Sequence, residues 1–137
     1  MRTLELMSAA RSDIDRYRRD HRRAMARILV RLNEISADPS LLSKLLTPGY
    51  GGDRWSDVFY VGAWSEQRRL GRDLRYLKVW EIENAGEKFR VVYAHNPATD
   101  IVHVLGIAPR EFNYDADHEF TKRVVADYNK LGCPISY

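Results

Sequence analysis

Arg90 interrupts the apolar run Phe89-Arg90-Val91-Val92-Tyr93-Ala94, and a guanidinium there calls for a chemical reason. In a strand covered on much of both faces, a charged side chain is costly unless it reaches a cleft or a partner. Two roles fit: an ion pair with Glu81 or Glu83 of the preceding strand, or a cation set to bind a phosphate. More positive charge stands nearby. Arg68, Arg69, Arg72 and Arg75 lie just before the strands, and Lys78 lies within the first of them. A basic and aromatic corner, Ala108-Pro109-Arg110-Glu111-Phe112-Asn113-Tyr114, follows the last. His95, His103 and His118 are acid–base candidates. His95, at a strand end, is the most accessible by pattern, whereas His103 shares a strand face with Leu105 and Ile107 and is expected to be buried.

Three strand-like runs must position these groups: residues 77–82, 88–94 and 101–107, with turns at 84–87 and 96–100. Each is rich in β-branched and aromatic residues and bounded by Gly, Asn, Asp or Pro. Upstream, Ser12-Asp13-Ile14-Asp15 has the form of a helix start. Ile14, Tyr17, His21, Met25, Ile28, Leu32 and Ile35 then recur at spacings of three and four, which predicts one long helix ending near Asp38-Pro39. Residues 39–46 read as a short second helix with Pro39 in its first turn. Residues 47–53 form a loop, without the Lys-Ser/Thr ending of a phosphate-cradling P-loop. Residues 55–70 are ambiguous: 58–61 fit a short strand, and 64–70 fit either a helical turn or an extended basic loop. Residues 115–131 predict a closing helix, capped by Asp115 or Asp117, with Phe120, Val124, Val125, Tyr128 and Leu131 on its apolar face. Residues 1–11 show no strong pattern and are expected to be a disordered or helical lead-in.

A chain of 137 residues suggests one domain, 1–137. No apolar run approaches the roughly 18–20 residues that span a bilayer, and the acid in the first seven residues makes a poor secretory signal. The single cysteine, Cys133, excludes an internal disulfide and suits a reducing cytoplasm, the expected location. A net charge of +3 permits a polyanionic partner without requiring one. Arg11, Arg16, Arg18, Arg19, Arg22, Arg23, Arg27 and Arg31 read either as a solvated helix face or as an RNA-facing one. No His, Cys, Asp or Glu cluster has metal-ligand spacing, so no metal or other cofactor is expected.

The order helix, helix, strands and closing helix, with the segment KFRVVYAHNPATDIVHVLGIAPREFNYD, resembles the RelE/ParE toxin superfamily. The resemblance covers roughly residues 70–130. It implies an α+β fold in which N-terminal helices pack on a small twisted antiparallel sheet followed by a C-terminal helix. In the RelE-like branch it implies metal-independent cleavage of mRNA by attack of the ribose 2′-hydroxyl on the adjacent phosphate. Arg90 then matches the phosphate-holding strand arginine, Arg110 the second arginine, and Tyr114 the tyrosine that stacks on or polarises the substrate. Lys78 is the one lysine near the family's lysine positions; Glu81 or His95 is the candidate for proton transfer. Arg68, Arg69, Arg72 and Arg75 are candidates for RNA contact. The implied partners are mRNA, with or without the ribosome, and a small antitoxin; a homodimer is permitted. Two other readings stay open: a gyrase-binding protein of the ParE type, and a non-catalytic RNA- or protein-binding relative.

Overall fold

The computed structural model describes residues 1–109 and 111–133. The elements are β1 (Thr3–Leu6), α1 (Ser8–Arg18), α2 (Arg22–Ala37), α3 (Pro39–Lys44), β2 (Phe59–Ala63), α4 (Ser65–Arg69), β3 (Leu74–Val79), α5 (Trp80–Asn84), β4 (Arg90–Asn96), β5 (Ile101–Ala108) and α6 (Glu119–Lys130). The fold is α+β. Strands β2 to β5 form an antiparallel meander, and β1 adds in parallel to β5, giving the order β1-β5-β4-β3-β2. The sheet is therefore mixed where a wholly antiparallel one was expected.

Helices cover the sheet unequally. On one face the stripe Ile14, Met25, Ile28, Leu32 and Ile35 meets Val61, Leu77, Val79, Val91, Val104 and Ile107. On the other, Phe120, Val124 and Tyr128 of α6 meet Leu74, Val92, Ala94 and Leu105. Each buried Val, Leu, Ile, Met or Phe among them contributes about 1.5–3 kcal/mol, so both helical layers are fixed by apolar phase.

Several elements differ from the sequence reading for identifiable reasons. Residues 3–6 are a strand, because their backbone finds the free edge of β5. The long helix breaks at residues 19–21, where His21 leaves helical geometry, packs on Phe89 at 4.8 Å and bonds Glu87 at 3.2 Å. The apolar period survives the break, which is why it was invisible as spacing. The first strand of the functional segment runs 74–79; Val79 and Ile82, three apart, then fit the helical turn α5 on the same apolar core. Arg90 opens β4 rather than sitting mid-strand. His118, not an aspartate, caps α6 by accepting from the Phe120 amide. Pro39 opens α3 as expected, with Asp38 capping the Ser40 and Leu41 amides.

One buried ion pair ties the layers together. Asp13 of α1, 2% exposed, accepts from Arg123 of α6 at 2.8 and 2.6 Å and from the Ile107 amide of β5 at 2.9 Å. The pair passes beside Gly106, where any Cβ would collide with the Arg123 guanidinium. A β-bulge leaves Leu105 without a partner opposite Val92 and Tyr93, so that Leu105 joins the α6 core while Ile107 joins the other. Breaking one side of a buried pair strands the other charge. Asp13→Ala is expected to lower the unfolding free energy by about 3 kcal/mol, the low end of the usual range because Arg123 is partly exposed. Urea unfolding checks this, and a loss of only a few tenths of a kcal/mol would remove the pair from that role.

Candidate functional site

Strand alternation brings the basic and aromatic residues together. Tyr76 and Lys78 are in phase with Leu74 on the α6 side of β3, and Arg90 is in phase with Val92 on β4. Cross-strand register then places Lys78 directly opposite Arg90 and opposite Tyr60 on its other side. Tyr60, Tyr76, Lys78 and Arg90 all stay partly exposed, so this end of the face is open.

The ammonium of Lys78 lies among three rings, 5.5 Å from Tyr60, 5.8 Å from Trp80 and 6.0 Å from Tyr76. The Arg90 guanidinium is 6.0 Å from the Tyr76 ring. Gly62, opposite Tyr76, makes this possible: a Cβ there would run into the tyrosine ring. Like charges directly opposed across strands destabilise a sheet. The Lys78 pKa is held below its ordinary value, first by burial and then by Arg90.

Glu83 of α5, with a side chain 8% exposed, lies 3.3 Å from Arg90 Nε. Tyr114 closes the other side. Its ring packs on Tyr76, Trp64 and Phe112 at 5.3, 5.4 and 5.0 Å. Its φ is +65°, a strained value for a side chain of this size. Burial pushes its pKa up to about 12 against the opposing pull of Arg90. Six buried side-chain polar atoms lack a hydrogen-bond partner among the described residues, and four belong to this patch: Trp64 Nε1, Glu83 Oε1, Arg90 Nε and Tyr114 Oη. Arg90 and Glu83 are thus within ion-pair distance without a directed hydrogen bond. Buried polar groups are rarely left so, and their concentration in one place makes this patch the candidate site. A hollow of about 280 Å³ adjoins them between Trp64, Glu66, Tyr76, Asn113 and Tyr114.

Of the residues singled out by sequence, Arg90, Lys78 and Tyr114 converge here. Glu81 does not: its carboxylate bonds Arg31 at 3.0 Å and lies 3.6 Å from Arg27, at α2. His95, in phase with Val91 and Tyr93 on the opposite face, lies 2.8 Å from Asp100. Arg75 also faces the helical layer, where it bonds Asp73 and the Leu45 carbonyl, as Tyr93 does that carbonyl. Arg72 bonds Gln67, while Arg68 and Arg69 are exposed on α4 and do not line the hollow. His103 is buried, 8% exposed. Arg110 lies outside the described residues. The N-terminal arginines Arg16, Arg18, Arg27 and Arg31 stand near Asp13, Asp15, Glu81 and Glu34. Sequence reasoning missed Tyr60, Tyr76, Trp80 and the place of Glu83. The spacing of Tyr76 and Lys78, two apart on a strand, was the available signal.

Among the described residues no helix is long and apolar enough to cross a membrane, and no group of three or more His, Cys, Asp or Glu side chains is placed to hold a metal ion. No protein-family model, no curated protein and no solved structure matches the chain.

Two measurements follow from this geometry. Lys78→Met should stabilise the fold by about 0.5 kcal/mol by removing the opposed charge, seen as a higher urea midpoint; a drop in stability would show that Lys78 holds the fold together. Tyr114 keeps its proton when folded at a pH where an unfolded tyrosine, with a pKa near 10, loses it. Its contribution to stability is therefore whole below pH about 10 and disappears as the pH rises toward about 12. An ultraviolet titration should show one late phenolate fewer in Tyr114→Phe, in which buried Tyr93 still titrates late.

Proposed function

We propose that this protein is a toxin-type endoribonuclease that needs no metal and cleaves single-stranded mRNA laid across the open end of its sheet. The observation that supports this is the convergence beside Lys78 of Arg90, Glu83 and Tyr114, whose buried polar atoms lie close together without well-directed hydrogen bonds. Intramolecular cleavage of RNA needs cations for the crowded phosphorane, an acceptor for the 2′-hydroxyl proton and a donor for the leaving oxygen. Arg90 and Lys78 supply the cations. Glu83 takes the proton as the 2′-oxygen attacks phosphorus. The bond to the 5′-oxygen breaks, and Tyr114, protonated at neutral pH, delivers a proton to that oxygen. The products are a 2′,3′-cyclic phosphate and a 5′-hydroxyl, and water returns the proton from Glu83 to Tyr114. Tyr60, Tyr76 and Trp80 offer faces on which unpaired bases stack.

An mRNA substrate places the protein in the cytoplasm, and a small antitoxin would silence it by covering this basic face. Whether the ribosome presents the mRNA is a question of the same experiment run with and without translation. The wild-type chain and Arg90→Lys, Arg90→Ala and Glu83→Gln variants are expressed from a tight promoter, and RNA 5′ ends are mapped. New 5′-hydroxyl ends are expected with the wild type only, with the rate falling about 10²–10³-fold for Arg90→Ala. Circular dichroism confirms that each variant is folded. Cleavage undiminished in folded Arg90→Ala and Glu83→Gln would sink the mechanism. RNA bound but uncut by the wild type would make this a binding protein, and arrested growth with intact RNA would point to a gyrase-type protein target.

A further inference from the structure

Trp55 has an unusual setting: its indole is 80% exposed, yet it stands on a tightly held loop. Residues 49 and 50 bond both polar groups of Val61 at 2.8 and 2.9 Å, which closes the outer edge of β2. Gly51, at φ +85°, sits against the Phe59 carbonyl where no Cβ would fit, and its own carbonyl accepts from the Trp80 indole at 2.7 Å. Further along, Asp53 and Asp57 bond each other's backbones, and Asp53 also accepts from the Trp55 amide at 3.0 Å. Asn84 clamps Arg54 twice, accepting from its guanidinium at 2.8 Å and donating to its carbonyl at 2.9 Å. The chain thus fixes a large indole in water, where such a ring normally loses burial energy.

The loop is continuous with the site. The Arg54 guanidinium lies 5.3 Å from the Trp55 ring and 5.7 Å from the Trp80 ring, and Trp80 in turn flanks Lys78. Rings and cations therefore alternate along one path: Trp55, Arg54, Trp80, Lys78, Tyr76, Arg90. A single nucleic-acid strand alternates in the same manner between base faces and phosphates. Double-stranded RNA hides its base faces, and a neutral protein surface would leave Arg54 and Lys78 desolvated without a counter-charge, since Glu83 lies beside Arg90 alone.

We infer that Trp55 is a stacking subsite for a base of single-stranded RNA, with Arg54 holding a phosphate between that base and the Lys78–Arg90 pair. The inference rests on the RNA reading of that pair. The test is binding of a labelled RNA of about twelve nucleotides, 2′-O-methylated so that it is not cut, followed by fluorescence anisotropy at several salt concentrations. Trp55→Ala is expected to weaken binding roughly 5- to 100-fold with the salt slope unchanged, and Trp55→Phe to recover most of the affinity. Arg54→Ala should instead flatten the salt slope by about 0.7, the loss of one phosphate contact on a single strand. Trp55→Ala binding as tightly as wild type overturns the subsite while the RNA reading stands. Unchanged RNA binding with loss of self-association by sedimentation also overturns it and makes Trp55 a protein contact. A wild type that does not bind the RNA even at low salt removes the RNA reading itself, and the subsite with it.

Discussion

The contact between Asp13 and Arg123 is where the three layers of the molecule meet. α1 lies on one face of the sheet and α6 on the other, and their charged side chains join around the edge of β5. That edge is open because β1 ends at Leu6 and leaves the last residues of β5 paired with β4 alone. The carboxylate takes the place of the missing strand for the Ile107 amide. Through Arg123 it also fixes where α6 can lie, and so how much of the sheet face stays uncovered. The connection from β5 to α6 carries Phe112 and Tyr114, so the same contact sets the position of the aromatic wall beside Arg90.

The uncovered end of the sheet is built against local stability. Lys78 faces Arg90 across a strand pair, Tyr114 holds a left-handed backbone, and polar atoms lie buried without directed partners. Each of these is a small debit in a fold that is otherwise consistent, and they fall within one patch. The opposite face shows no such conflict at the same strands: Leu77, Val79 and Val91 pack on helices with nearly complete burial. A surface optimised only for folding would have placed an apolar or neutral residue at 78.

Much of this was legible in the residues themselves. Helical spacing from Ile14 to Ile35 identified the face that covers the sheet, and turn residues located three of the five strands. Arg90 was conspicuous because charge inside an apolar run has few acceptable environments. The alternatives offered for its partner, Glu81 and Glu83, differ by two positions, and a strand would have put both on one face. The chain instead turns into α5 after Val79, which sends Glu81 toward Arg31 and Glu83 toward Arg90. No local propensity distinguishes these outcomes, because the turn is set by Ile82 reaching the helical core. β1 was missed for a related reason. Four residues with a weak pattern become a strand only because a distant edge awaits them.

That pairing of the first strand with the last has a consequence for how the protein comes into being. Thr3 aligns with Ile101, and Arg2 meets Asp100 across a sequence separation of 98 residues. The β2–β3–β4 meander, which carries Lys78 and Arg90, needs only neighbouring segments, while β1 has to wait for β5 to leave the ribosome. The closing of β1 on β5 and the docking of α6 on α1 join residues about a hundred positions apart, so these contacts carry a large loop-closure cost.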